Sequence, residues 1–108
     1  MDKPMGIFKP RQQPKESNAQ SANFYYFRGI SHVVVGRFQA AILELNEAIE
    51  IDPNHAAAYD NRGMCLRELG KHQEALANFQ KSAEIYQKKG KIADYQKIIA
   101  KIHDLHSR

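Results

Sequence analysis

A chain of 108 residues can build one hydrophobic core but not two, and its 43% hydrophobic and 26% charged residues exclude disordered, collagen-like and fibrous classes. The 16 Lys and Arg against 12 Asp and Glu leave a net charge of +4, which permits contact with polyanions without requiring it. Cys65, the single cysteine, cannot staple the fold, so a disulfide-built secreted scaffold is excluded and a reducing, cytoplasmic compartment is expected.

Residues 1–21 hold Pro4, Pro10 and Pro14 among Gln, Ser, Asn and Lys, with too little apolar surface to offset the entropy of ordering. A flexible, basic, Pro-rich tail is expected there. Lys3, Lys9, Arg11 and Lys15 outweigh Asp2 and Glu16, and Ile7 and Phe8 are its large apolar neighbours. No run has the length of a signal peptide or a membrane span, the longest stretch of branched aliphatic residues being Val33-Val34-Val35, so no membrane insertion is expected.

From Ala22 onward the sequence repeats at an offset of 34 residues. Tyr25, Arg28, Gly29, Gly36, Ala41, Leu45 and Ala48 recur as Tyr59, Arg62, Gly63, Gly70, Ala75, Phe79 and Ser82. In each unit an apolar stretch runs to Gly36 or Gly70 and a second follows at helical spacing, with Ala41, Leu45, Ala48 and Ile49 on one face and then Ala75, Leu76, Phe79 and Ala83. Each unit therefore reads as helix, glycine turn, helix. Asp52-Pro53-Asn54 ends the second helix, and Asn54 is placed to cap the third. Gly90 follows Lys88 and Lys89 as a helix stop, and a fifth helix spans 91–106 with Ile92, Tyr95, Ile98, Ile99, Ile102 and Leu105 at helical spacing. Gly29 and Gly63 fall inside helices, where glycine costs about 1 kcal/mol against alanine, so close approach of the paired helix is expected, with Ala41 and Ala75 facing them.

A 34-residue unit with an aromatic residue, two glycines, an alanine, a large apolar residue and a small one resembles the tetratricopeptide repeat. The resemblance implies an all-α helical-repeat solenoid of two antiparallel helix pairs, 22–55 and 56–89, plus one capping helix, 91–106, in a domain spanning 22–108. Arg28 and Arg62 stand where leucine is usual, His32 where Tyr or Leu is usual, and Gln87 replaces the closing proline, which predicts that the fourth helix runs on toward Lys88.

Such arrays leave their end faces open, and about three repeats are normally needed for independent stability. The Ile-rich face of the fifth helix can close one end while Lys91, Asp94, Lys97, Lys101 and Asp104 stay in water. At the other end Tyr26, Phe27, Val33 and Val34 stand where the second unit has Asp60, Asn61, Arg67 and Glu68, and Ile30 pairs with Met64. The first helix is thus apolar nearly all round, the pattern of an element covered on more than one side. Leaving five such side chains in water would forgo stabilisation of at most about 10 kcal/mol. A partner's peptide or helix, a second copy of the chain, or the tail through Ile7 and Phe8 can cover them.

In the resembled family the first helices of each unit line a concave groove. That implies a non-catalytic protein-interaction module, a scaffold or adaptor, with Tyr26, Phe27, Ile30, Val33, Val34, Asn61, Met64 and Arg67 as partner-binding residues. An apolar or amphipathic protein or peptide segment is the expected ligand, with homodimerisation as one way of covering the face. Some family members clamp a chaperone's carboxylate tail. Asn61 fits one of those slots and Lys91 another, but Tyr26 and Ile30 occupy the first-helix slots and Tyr95 falls near the arginine slot, so that ligand is not expected.

No catalytic residue and no cofactor are expected, since phosphate-loop, nucleophile-elbow and His-Glu-x-x-His motifs are absent and Glu44, Glu47 and Glu50 read as a solvated face. His103 and His106 alone make an incomplete metal site, so no metal is expected, and Cys65 reads as a small buried apolar residue. The alternative function is weak nucleic-acid or other polyanion binding through Lys81, Lys88, Lys89, Lys91, Lys97 and Lys101, although nucleic acid is not the expected partner and such lysines commonly serve solubility.

Overall fold

The computed structural model describes residues 18–107, and among them are five helices: α1 (Asn18–Val34), α2 (Phe38–Ile51), α3 (Ala56–Glu68), α4 (His72–Lys88) and α5 (Ile92–His106). α1 begins four residues before the boundary expected at 22, and Ala22 is fully buried; the rest of the tail assignment lies outside the described residues. α4 continues to Lys88, as the missing proline predicts.

Helices α1, α3 and α4 end in the same way. Gly36, Gly70 and Gly90 have φ of +79°, +80° and +72°, a left-handed conformation that suits glycine. In the α1–α2 turn the Gly36 N–H donates to Val33 O at 2.9 Å and the Arg37 N–H to His32 O at 2.8 Å; the pattern recurs from Gly70 to Arg67 and Lys71 to Leu66, and from Gly90 to Gln87 and Lys91 to Tyr86. This doubled bond satisfies carbonyls that a helix end would otherwise leave unpaired, and it reverses the chain into the next helix. The α2–α3 junction is built differently. His55, not Asn54, caps α3, its Nδ1 accepting from the Ala58 N–H at 3.1 Å, while the Asn54 N–H turns back to Asp52 Oδ1 at 3.0 Å.

Consecutive helices pack side by side, α1 on α2, α2 on α3, α3 on α4 and α4 on α5, whereas α1 touches α3 only lightly. Close approach within each pair depends on Gly29 and Gly63. A Cβ at Gly29 would lie 2.9 Å from the Leu45 side chain, and one at Gly63 would lie 2.8 Å from the Phe79 ring. The expected neighbours Ala41 and Ala75 contribute their carbonyl oxygens, 3.4 and 3.3 Å away, so the contact falls on the next large residue along the helix.

Two buried clusters result. Ala41, Leu45 and Ala48 of α2 meet Ala58 and Cys65 of α3, while Leu66, Ala75, Phe79 and Ala83 meet Ile98 and Leu105 of α5. α3 thus faces both neighbours, with Ala58 and Cys65 turned to α2 and Leu66 to α4. Polar links repeat as well: Arg28 pairs with Glu44 at 3.1 Å, and Arg62 donates to Asn78 at 2.7 Å and to Asn46 at 2.9 Å.

Candidate functional site

The 34-residue equivalence shows what α1 lacks. Phe24 and Ser31 of α1 correspond to Ala58 and Cys65 of α3, both fully buried beneath α2. Phe24, at the same station of the first repeat, is 55% exposed. Phe27 is 62% exposed and Val34 77%, and Val35, just beyond the helix, is also exposed, so an apolar strip runs the length of α1. The remaining exposed large apolar residues among those described are Leu43 on α2 and Ile92 and Ile99 on α5.

Of the residues the sequence assigns to a partner, Phe27 and Val34 point outward and Ile30 is half-buried between them. Tyr26 and Val33 turn inward. Val33 packs against the Ala41 and Leu45 cluster. The Tyr26 ring lies 4.8 Å from that of His55, and its hydroxyl accepts from Asn61 Nδ2 at 3.4 Å. Burial, with the nearby Asp60 charge adding to it, raises the Tyr26 phenol above its ordinary value. Asn61 also donates to Ala57 O at 3.0 Å, so it joins the seam between α1 and α3. Met64 packs into the second cluster with its sulfur 3.3 Å from Lys101 Nζ. Arg67 is mostly covered, its Nε buried without a hydrogen-bond acceptor and 3.8 Å from Glu68 Oε2.

Three features escape the sequence reading. Lys101 does not stay in water but forms an ion pair with Asp60, 2.8 and 3.0 Å from the two carboxylate oxygens. His55 joins α1 to α3. Phe24 belongs to the exposed strip, and comparing it with Ala58 is the signal that finds it.

The basic groups are largely engaged within the fold. Lys81 and Lys88 both approach Glu84, at 3.7 and 3.6 Å, and Lys89 donates to Asn54 O at 3.1 Å. Two shallow hollows of about 220 and 270 Å³ flank Lys89, with Glu84 lining one and Asp52 the other beside the lysines. Cys65 is fully buried, and its thiol is pushed up to about 11 by that burial and by the charge of Glu68.

A tetratricopeptide-repeat family model matches residues 20–88, over both helix pairs just described. The chain belongs to the tetratricopeptide repeat family. It is 29% identical over 84 residues to the tetratricopeptide repeat protein 36 homolog of Nematostella vectensis, a match covering 78% of this chain and 46% of that protein. It is 33% identical over 64 residues to an uncharacterised protein of Methanocaldococcus jannaschii, covering 59% of this chain and 74% of the other. The chain therefore spans less than half of the first of these relatives. Among solved structures, a tetratricopeptide repeat domain from Salinibacter ruber superposes with a TM-score of 0.73 at 16% identity, over 80% of this chain and 87% of that one, which is a likeness of fold. Tetratricopeptide repeats are protein-interaction modules, and the geometry is that of a helical repeat scaffold. No helix among the described residues is long and apolar enough to cross a membrane.

Proposed function

We propose that this tetratricopeptide repeat chain is a non-catalytic adaptor whose contact surface is the outer strip of α1. It takes an apolar or amphipathic protein segment, and a second copy of the chain is one form that segment can take. The carrying observation is the exposure of Phe27 and Val34, two turns apart on one face, with half-buried Ile30 between them. Anchors at i, i+3 and i+7 match the spacing by which one amphipathic helix lies along another. Asn61, in the α1–α3 seam, adds a polar group on the α3 side, whereas Tyr26, Val33, Met64 and the mostly covered Arg67 serve the surface from beneath by holding the α1 and α3 backbones in place. Phe24 extends the strip toward the start of α1.

The double variant Phe27→Asp with Val34→Asp tests this reading. Both side chains are mostly in solvent, so its melting temperature should stay close to that of the wild type, each change costing within about 0.5 kcal/mol. Capture of partners in a pull-down, or self-association in light scattering, should be lost. A wild-type protein that is monomeric, together with a double variant that retains the same captured partners, would show that α1 is not the contact.

A further inference from the structure

We propose that His55 is a proton-operated latch between the two repeats: neutral, it ties α1 to the start of α3, and protonation opens that joint. The ring bonds at both nitrogens. Nδ1 accepts the Ala58 N–H at 3.1 Å, which requires a lone pair there, so the ring proton sits on Nε2 and is donated to Asn23 Oδ1 at 2.8 Å. Asn23 lies on α1 and Ala58 in the first turn of α3, so one imidazole spans the seam. The Tyr26 ring packs 4.8 Å away and its hydroxyl meets Asn61, extending the link along both helices. Because α1 otherwise touches α3 only lightly, this chain of contacts makes up much of the direct α1–α3 contact, beside the larger α2–α3 interface.

A second proton removes the Nδ1 lone pair and sets one donor against another, so the α3 cap is lost and the ring must turn. The surroundings resist that proton. Partial burial is the largest effect, Lys89 just after α4 adds to it, and the positive end of the α3 dipole works in the same direction. Asp52 in the α2–α3 loop and a hydrogen bond to the residue's own backbone work the other way, while Asn23 and Tyr26 from α1, Tyr86 from α4 and Lys91 at the start of α5 complete the neighbourhood. The balance lowers His55 below its ordinary 6.5. An unfolded chain then takes up the proton before the folded one does. Stability from the latch is complete above about pH 6.5 and is lost as pH falls toward the folded value.

The test uses the full chain and needs no partner. The His55 ring and the backbone amides of 22–26 and of Ala58 are followed by NMR from pH 8 to pH 5, and the urea midpoint is measured at each pH. The ring should titrate below 6.5, with Ala58 and the α1 amides moving at the same midpoint. His55→Asn retains a capping acceptor and cannot titrate, so its urea midpoint should fall less than that of the wild type between pH 7 and pH 5. In Asn23→Ala the Ala58 signal should still follow the ring while the α1 amides stop doing so. A ring titrating at or above 6.5, α1 amides that stay still as it titrates in the wild type, or an unchanged pH dependence in His55→Asn would each overturn the latch. The first two outcomes are read on the wild-type protein, so the test does not depend on any variant folding.

Discussion

Lys101 of α5 reaches across to Asp60 of α3, its ammonium 2.8 and 3.0 Å from the two carboxylate oxygens and 3.3 Å from the Met64 sulfur. α5 packs mainly on α4, with Leu66 of α3 in the same cluster, and this pair adds a polar tie between the cap and the repeat's first helix. The Asp60 side chain is only 15% exposed, so removing its cation strands a carboxylate in a poorly solvated position. Lys101→Met should destabilise by about 1–2 kcal/mol in urea unfolding, because an unpaired buried group keeps its desolvation penalty. Asp60→Asn combined with Lys101→Met should recover part of that loss, since no buried charge remains. Strictly additive single-variant effects would contradict the coupling.

The glycines at helix crossings and at helix ends should respond differently to the same substitution. At Gly63 a new Cβ would come within 2.8 Å of the Phe79 ring and at Gly29 within 2.9 Å of Leu45 Cγ and Cδ2, and both of these side chains are fully buried. Overpacking costs about 1–3 kcal/mol against a gain of about 1 kcal/mol from alanine's helix propensity. Gly63→Ala and Gly29→Ala should therefore both lower the melting temperature. Gly70→Ala has open space around it, so its loss of about 1 kcal/mol should come from the left-handed backbone alone. Calorimetry of the three variants separates packing from strain.

The repeat was legible because its defining residues have sizes dictated by contact: Gly29 must be small for Leu45 to fit, and Gly63 must be small for Phe79. The exact bearing of α1 was not. Neighbouring apolar residues such as Tyr26 and Phe27 point in directions about a quarter-turn apart, and which one faces inward depends on how α1 rolls against α2, a tertiary property. Hence Tyr26 and Val33 read as a partner stripe in sequence but turn into the fold. Long polar side chains escape for a related reason. Lys101 and His55 act on residues 41 and 32 positions away, at distances that only the folded backbone sets.

Arg62 stands where the family usually has leucine, and its guanidinium bridges Asn78 on α4 and Asn46 on α2. The group is half-buried, so its two hydrogen bonds are offset by desolvation, which also lowers its pKa. Arg62→Leu should change stability by less than about 1 kcal/mol, because an apolar side chain of similar reach replaces both terms. Arg62→Ala should cost more, about 1–2 kcal/mol, as the aliphatic stem is lost with nothing in its place. Thermal melts in which leucine is as damaging as alanine would locate the stabilisation in the hydrogen bonds instead.

Cys65 offers a probe of the α2–α3 interface, since it is fully buried between Ala41, Leu45 and Ala58 and its thiol is raised from 9.0 to about 11. The unfolded thiol ionises first as pH rises. The contribution of the neutral thiol is therefore complete below pH 9 and declines between about 9 and 11, with Tyr86, pushed up to about 12, extending the loss at higher pH. Unfolding midpoints should be flat in Cys65 terms up to pH 9 and fall above it, and Cys65→Ala should soften that fall. At pH 8 a disulfide reagent should modify the native protein only at the rate at which the α2–α3 contact opens, and should react at once in concentrated urea. Immediate stoichiometric reaction in native buffer would mean that α3 does not seal this face of α2.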